Sequence, residues 1–270
     1  MSFRVTAFVC SLTVVGVATA PSDLAADDAV PTGDAARFGA AELLDEGLAR
    51  LSESEGYTAT FVRQEAVGGT LREPETIALK VRNEPFAVYM KWTAGAMTGR
   101  EVLYADGEFD GKMLVRPHGW RGRLVGTLQL DPDGSLALRD SRHPVTEAGL
   151  AHLAARIAWV LRTDREGIAK ATYSLRPAVE GGRKGRLLIL DAFSTDTPDG
   201  FRYTEVFIDD ETLLPIRVRN YGWPTEEHET AAELAAATLL EDYAYDGLNL
   251  EPRLTVADFT PENPDYQLDR

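Results

Sequence analysis

Residues 57–64 (YTATFVRQ) and 86–92 (FAVYMKW) decide the fold of this chain. In both stretches apolar side chains alternate with others, as with Tyr57, Ala59 and Phe61 in the first. Because successive side chains of a strand point to opposite faces, this period of two predicts strands with one strongly apolar face. Such a sheet either packs on helices or lines a pocket, and that choice is the functional question.

The rest of the chain predicts an α+β protein. Helical spacing of leucines and isoleucines predicts one helix over residues 39–51 and another of about four turns beginning near Pro144. Residues 225–240 fit either a helix or a loop, and residues 261–266 are expected to lie along the surface. Alternating segments separated by turn residues predict further strands over residues 76–82, 100–104, 112–116, 124–130, 171–177, 186–193, 202–208, 214–221 and 239–246.

The N-terminus predicts export. Arg4 precedes an apolar run over residues 5–17, and small residues follow it, so residues 1–20 are interpreted as a signal peptide with cleavage there or as late as residue 26. An uncleaved anchor is the alternative. We expect residues 21–38 to be a linker and residues 39–270 to be a single domain. Cys10 is the only cysteine and lies in the signal, so the exported chain is expected to hold no disulfide.

Composition and motifs exclude several classes of function. The chain has 28 Lys and Arg against 43 Asp and Glu, a net charge of −15, which argues against a nucleic-acid partner. His228-Glu229 begins like a zinc-protease motif, but Ala232 stands where the second histidine is needed. No G-x-S-x-G motif or phosphate-binding glycine loop is present. The sequence therefore predicts no metal, no cofactor and no catalytic residue.

Two polar clusters carry open alternatives. Arg142 and His143 precede the second helix, where they either hold an anion at its N-terminus or tie the loop to nearby carboxylates. An enzyme built on Arg142 and His143 is a further hypothesis. The second cluster is a basic segment that either contacts a membrane surface or is an ordinary hairpin loop. Its candidate membrane-contact residues are Arg116, Trp120, Arg121 and Arg123.

The apolar strand faces supply the candidate ligand site. Their large side chains either fill a core or form the deformable wall of an apolar pocket. The candidate pocket residues are Tyr57, Phe61, Phe86, Val88, Met90, Trp92 and Tyr104.

Several motifs of the chain are distinctive. They are 57–65 (YTATFVRQE), 82–92, 99–107 (GREVLYADG), 141–149 (SRHPVTEAG), Asp242-Tyr243, Asp258-Phe259 and 263–266 (NPDY). Together they resemble an uncharacterised bacterial domain family close to the lipoprotein-sorting proteins, LolA and its relatives. The resemblance covers roughly residues 40–268 and implies a curved antiparallel sheet that forms an incomplete barrel, with helices covering its concave face. It also implies an apolar cavity for acyl chains.

These observations favour a periplasmic or otherwise exported, non-enzymatic binding protein. Its expected ligand is a lipid or the acyl part of a lipoprotein, with a membrane protein of the cell envelope as a further partner and a monomeric state. The alternative is a structural or interaction module of the envelope whose barrel is filled by its own side chains.

Overall fold

The computed structural model describes residues 30–163, 171–194 and 200–268. The predicted signal peptide and residues 21–29 of the predicted linker lie outside the described residues. Within these ranges the α-helices are α1 (Gly33–Ser52), α2 (Gly119–Val125), α3 (Leu150–Thr163) and α4 (Ala231–Thr238).

The strands form one antiparallel sheet, in the order β7-β6-β5-β4-β3-β1-β12-β11-β10-β9-β8, with β2 paired to the end of β1. β7 and β8 are its two edges, so within the described residues the sheet stays open. The predicted α+β class with an incomplete antiparallel barrel is confirmed. The strands are β1 (Gly56–Val67), β2 (Thr70–Leu71), β3 (Glu75–Arg82), β4 (Ala87–Ala94), β5 (Glu101–Ala105), β6 (Met113–Arg116), β7 (Leu128–Leu130), β8 (Ala171–Glu180), β9 (Arg183–Ala192), β10 (Tyr203–Asp209), β11 (Pro215–Tyr221) and β12 (Leu239–Asn249).

The inner face of the sheet is the face covered by α1 and α3. In its β1–β6 half, cross-strand neighbours such as Tyr57 and Val81 form one buried cluster with Leu150 at the start of α3. In its β8–β11 half, Leu188 and Val206 pack against the alanine-rich faces of α1 and α3. Small side chains on these helices let their backbones approach closely, so both helices lie flat over one half of the sheet.

Helix α1 begins earlier than the sequence predicts. It starts at Gly33 instead of residue 39, so residues 33–38 of the predicted linker are helical. The physical reason is tertiary packing, because Ala36 and Ala40 are fully buried in the cluster shared with α3 and the sheet. Contacts of this kind override the weak local signal of a Gly- and Asp-containing stretch.

The outer face of the sheet is covered by the C-terminal segment, residues 250–268. Tyr266 stacks on Tyr89 with ring centroids 3.7 Å apart, and the Lys80 amine lies 2.7 Å from the Asp258 carboxylate. Phe259 joins the same buried cluster. Of residues 261–266, which were expected to lie along the surface, 261–265 are exposed or half-buried and Tyr266 is buried, so the tail runs along the surface and is anchored in a small core on the outer face.

Two other elements differ from the sequence prediction. Residues 119–125, expected as a loop running into a strand at residue 124, form the short helix α2, and β7 begins only at Leu128. α3 begins at Leu150 instead of near Pro144, because Gly149 has a φ of +100° and interrupts the helical backbone. The ambiguous residues 225–240 contain α4, which Thr230 and Glu233 cap reciprocally.

Candidate functional site

A cavity of about 610 Å³ lies between the inner face of the sheet, α3 and the segment 131–149 that joins β7 to α3. This volume is within the range of about 300–1,000 Å³ that is usual for small-molecule sites. Most of its wall is hydrocarbon. The apolar wall comprises Phe61, Ile77, Leu79, Met90, Val102, Met113, Leu153, Ile157, Val160, Leu190, Val206 and Val218.

The predicted pocket residues divide into two groups. Phe61, Met90 and Trp92 border the cavity, whereas the other four candidates, Tyr57, Phe86, Val88 and Tyr104, do not.

These four fill the end of the inner face that α3 closes. The Tyr57 hydroxyl accepts a hydrogen bond of 2.6 Å from the Leu150 N–H, and Val88 is fully buried. Phe86 meets the ring of His152 edge-on, with centroids 4.9 Å apart. These four side chains lie on the inner face of the sheet, but the start of α3 occupies the space above them.

One side of the cavity is polar. We call it the polar wall and define it as Arg63, Glu65, Arg100, Asp140, Asn220 and Glu241, which all border the cavity. The strand residues among them lie near one end of their strands, where Glu65 pairs with Glu241 and Glu241 pairs with Asn220 across the sheet. The cavity is therefore amphipathic: the polar wall gathers six polar side chains, further charged side chains such as Arg156 and Arg202 also border the cavity, and most of the remaining lining is hydrocarbon.

Trp92 connects the polar wall of the cavity with its apolar wall. Its indole Nε1–H donates to the Glu75 carboxylate at 3.0 Å, and the same carboxylate accepts from Arg63 at 3.0 Å. The guanidinium groups of Arg63 and Arg100 lie 5.4 and 5.2 Å from the Trp92 ring centroid. Contacts of this length fit cation–π attraction. The Trp92 ring therefore contacts two cations, and its indole nitrogen contacts an acceptor.

Glu241 is the hub of the second part of the polar wall. Its side chain is almost fully buried and accepts hydrogen bonds from Arg142 Nε at 2.6 Å and Asn220 Nδ2 at 2.7 Å, while His143 Nε2 lies 2.9 Å away. Burial alone would raise the pKa of Glu241, but the bonds from His143, Asn220 and Arg142 outweigh it and lower that pKa.

His143 responds in the opposite direction. The hydrogen bond to Glu241 raises the pKa of the His143 imidazole above its ordinary value, although burial opposes this. The Glu65 carboxylate accepts hydrogen bonds from the Tyr243 hydroxyl at 2.7 Å and from the Arg142 N–H at 3.2 Å. The segment 131–149 is therefore attached to two buried carboxylates, Glu65 and Glu241. Arg142 and His143 thus both contact carboxylates. A smaller hollow of about 420 Å³ adjoins these two residues.

The basic segment splits between core and surface. Arg116 is buried at the end of β6, whereas Trp120 on α2 is 68% exposed. The side chains of Arg121 and Arg123 lie outside the described part of the structure. Leu124, one helical turn after Trp120, is 75% exposed, so α2 presents two large apolar side chains to solvent.

Sequence reasoning missed Arg63, Arg100 and Glu241 as site residues. The sequence did contain an indication of them, because each stands an even number of positions from an inward-facing apolar residue of a strand that it belongs to or directly precedes, and so shares the phase of that residue. Arg63 follows Tyr57 and Phe61 in this phase, and Arg100 precedes Val102. A charge in the apolar phase of a strand indicates either a buried ion pair or a polar site.

Fold and cavity define an α+β protein with a ligand-sized, amphipathic cavity between sheet and helices. The chain belongs to a family described as Protein of unknown function (DUF1571), whose model matches residues 54–268. This match confirms the resemblance to an uncharacterised bacterial domain family. A search of curated proteins found no match.

Several solved structures are similar to this chain at low sequence identity. Lipoprotein LppX from Mycobacterium tuberculosis is 11% identical, with 81% of this chain and 99% of that chain covered and a TM-score of 0.43. A putative outer membrane lipoprotein-sorting protein domain from Vibrio parahaemolyticus is 12% identical, with 83% and 97% covered and a TM-score of 0.39. A LolA superfamily protein from Nitrosomonas europaea is 10% identical, with 82% and 97% covered and a TM-score of 0.33.

Two further searches of the described residues gave no site. No group of three or more His, Cys, Asp or Glu side chains within them is arranged to hold a metal ion. Among the helices of the described ranges, none combines the length and apolar character needed to cross a membrane.

Proposed function

We propose that this chain is an exported, non-enzymatic binding protein that carries a lipid, or the acyl part of a lipoprotein, in the cavity under α3. The observation that carries the proposal is the amphipathic cavity of about 610 Å³, which is lined mostly by hydrocarbon and bordered by the polar wall. Burying an acyl chain there is favourable by about 0.8 kcal/mol for each methylene group. The hydrophobic effect then supplies affinity without selecting one chain in detail.

Release of the ligand requires the cavity to open. The segment 131–149 forms part of the cavity wall, and it is attached to the sheet through polar contacts, including those of Arg142 with Glu241 and of Arg63 with the Asp140 carbonyl at 3.2 Å. Polar contacts exchange with water more readily than an apolar interface does. Displacement of this segment together with the start of α3 is the proposed opening step.

Rival functions make different demands on the same cavity. An envelope module with a self-filled barrel needs inner-face side chains that meet, whereas here the volume between them is large enough for a ligand. An enzyme built on Arg142 and His143 needs those groups free to reach a substrate, and both contact Glu241. The cavity therefore supports the carrier over the module, and the Glu241 contacts support a structural role for Arg142 and His143.

The deciding experiment is native mass spectrometry of the chain purified from an exporting host, followed by organic extraction and lipid analysis. We expect a lipid at near-stoichiometric level. In Ile157→Trp, a larger side chain on the cavity wall should reduce the bound lipid, whereas Val179→Trp, on an exposed part of β8, should keep it. A clean apo mass that incubation with lipids and acylated peptides leaves unchanged would contradict the carrier and favour the module.

We also propose that α2 is the part of the chain that meets an anionic membrane surface. Trp120 and Leu124 are exposed on one turn, and Arg121 and Arg123 are their neighbours in the sequence of an otherwise acidic chain. Apolar side chains enter the lipid boundary and arginines are drawn to anionic head groups. In vesicle sedimentation, Trp120→Ser with Leu124→Ser should abolish binding to anionic vesicles, while Val256→Ser, equally exposed, should not. No binding by the wild type would exclude this role.

A further inference from the structure

The Arg100 guanidinium borders the cavity without a full set of partners. The residue is 9% exposed, and its Nε finds no hydrogen-bond acceptor among the described residues. Its Nη1 contacts the Met97 sulfur at 3.0 Å, a weak acceptor, and lies 3.6 Å from the Asp140 carboxylate. A buried guanidinium with so few acceptors is costly, so a group in the cavity that supplies an acceptor to this guanidinium is bound favourably.

The surroundings of Arg100 favour an anion over a neutral acceptor. Arg63 lies on the same Trp92 ring, and its charge adds to burial in lowering the pKa of the Arg100 guanidinium. Asp140 does not neutralise Arg100 alone, because it also contacts Arg72 at 3.1 Å and Arg139 at 3.4 Å. Three arginines, Arg72, Arg100 and Arg139, thus share the Asp140 carboxylate, and Glu75 is the other carboxylate that acts on Arg100.

Position separates Arg100 from other incompletely paired arginines. Arg37 and Arg116 also have buried guanidinium nitrogens without a partner among the described residues, but neither borders the cavity. Arg100 instead continues directly into the apolar wall, since Val102 follows it on the same face of the sheet and Met113 lies beyond. An anionic head group at Arg100 would place its tail along this hydrocarbon.

We propose that Arg100, with Arg63 near the same Trp92 ring, is the subsite for the anionic head group of an amphiphile whose hydrocarbon tail lies against Val102 and Met113. The head group is a carboxylate or a phosphate, because both offer the oxygen acceptors that a guanidinium binds best. This inference rests on the proposed lipid-binding function and names the ligand class for the same cavity.

The test compares three probes with the same sixteen-carbon tail: palmitate, hexadecyl phosphate and hexadecanol. Their dissociation constants are measured by calorimetry below the micelle concentration of each probe. A charge-assisted hydrogen bond predicts that at least one anionic probe binds about ten- to a hundredfold more tightly than the alcohol. The anion that shows this preference distinguishes a carboxylate from a phosphate subsite.

Variants assign the preference to Arg100. Arg100→Gln should bring the anionic probes to the affinity of hexadecanol, and Arg100→Lys, which keeps the charge but lacks Nε, should retain part of the preference. Arg139→Gln is the matched control, because it removes one positive charge from Asp140 without touching the cavity wall. Its preference should stay at the wild-type value.

The outcomes separate this inference from the proposed function. Equal binding of all three probes by the wild type would overturn the anionic subsite and leave lipid carriage standing. Binding of none of them would remove both. Equal loss of preference in Arg139→Gln and Arg100→Gln would show a general field effect and would also overturn the assignment to Arg100. The wild-type comparison decides even where a variant fails to fold.

Discussion

A single methyl group added at Gly149 tests the contact that holds α3 on the sheet. Gly149 has a φ of +100°, and a Cβ at this position would lie 2.6 Å from the Tyr57 hydroxyl oxygen. That hydroxyl accepts a hydrogen bond from the buried Leu150 N–H, so it cannot move away without leaving the donor unpaired. Gly149→Ala therefore combines backbone strain with a close contact that has no easy relief.

The magnitude follows from these two contributions. A side chain in a left-handed backbone costs about 1–3 kcal/mol, and overpacking a buried site costs about 1–3 kcal/mol more. We expect Gly149→Ala to lower the free energy of unfolding by about 2–6 kcal/mol, a large part of a typical total of about 5–15 kcal/mol. Gly107→Ala is the control for strain alone, since Gly107 has a φ of +78° and no atom within 4 Å of its Cβ position.

Urea unfolding of both variants, followed by a double-mutant cycle with Tyr57→Phe, measures the contact. Removing the hydroxyl gives the new methyl group room, so Gly149→Ala should cost about 1–2 kcal/mol less in the Tyr57→Phe background than alone. A Gly149→Ala variant no less stable than Gly107→Ala, or strictly additive effects of the two changes, would refute the placement of Tyr57 against the start of α3.

Two further predictions concern the polar wall and the outer face. Because the pKa of His143 is raised, the contact between His143 and Glu241 stabilises the fold fully below pH 6.5, the ordinary pKa of histidine, and this stabilisation is lost as the pH rises through the raised pKa. Because the pKa of Glu241 is lowered, its contribution is lost as the pH falls below 4.5, the ordinary pKa of glutamate. Urea unfolding across this range should therefore show the largest gap between wild type and His143→Gln between pH 4.5 and 6.5, and a gap that widens above pH 7 would contradict the assignment. Tyr266→Ala should cost about 3–5 kcal/mol by exposing Tyr89, whereas Tyr266→Phe, which keeps the stacked ring, should cost far less; equal losses in thermal unfolding would show that the ring contact is unimportant.

The strands could be predicted because their pattern is local. Alternation such as that of Ile77, Leu79 and Val81 is a property of neighbouring residues, and antiparallel strands joined by short turns pair with their sequence neighbours. The helix starts were less predictable, since α1 begins where Ala36 meets α3 and α3 begins where Gly149 breaks the preceding turn. Both boundaries depend on contacts between residues far apart in sequence.

The candidate site was predictable only in part, for a related reason. The apolar phase of a strand identifies the inner face, and Phe61, Met90 and Trp92 do border the cavity. It cannot tell which part of that face is covered by a helix, and so Tyr57 and Val88 were equally good candidates from the sequence. The position of α3 determines which of these residues border the cavity. That position depends on helix packing, which the strand pattern does not contain.

Charges on the inner face bear on whether the cavity has a function. A buried ion pair is often no more stabilising than well-packed hydrocarbon of the same volume, so stability alone does not explain Arg63 beside Glu75 or Arg142 beside Glu241. In a self-filled barrel these positions would hold leucine or valine at no loss. Here the polar wall gathers six polar side chains beside a cavity that is lined mostly by hydrocarbon, a combination that suits an amphiphile with a polar head and an apolar tail.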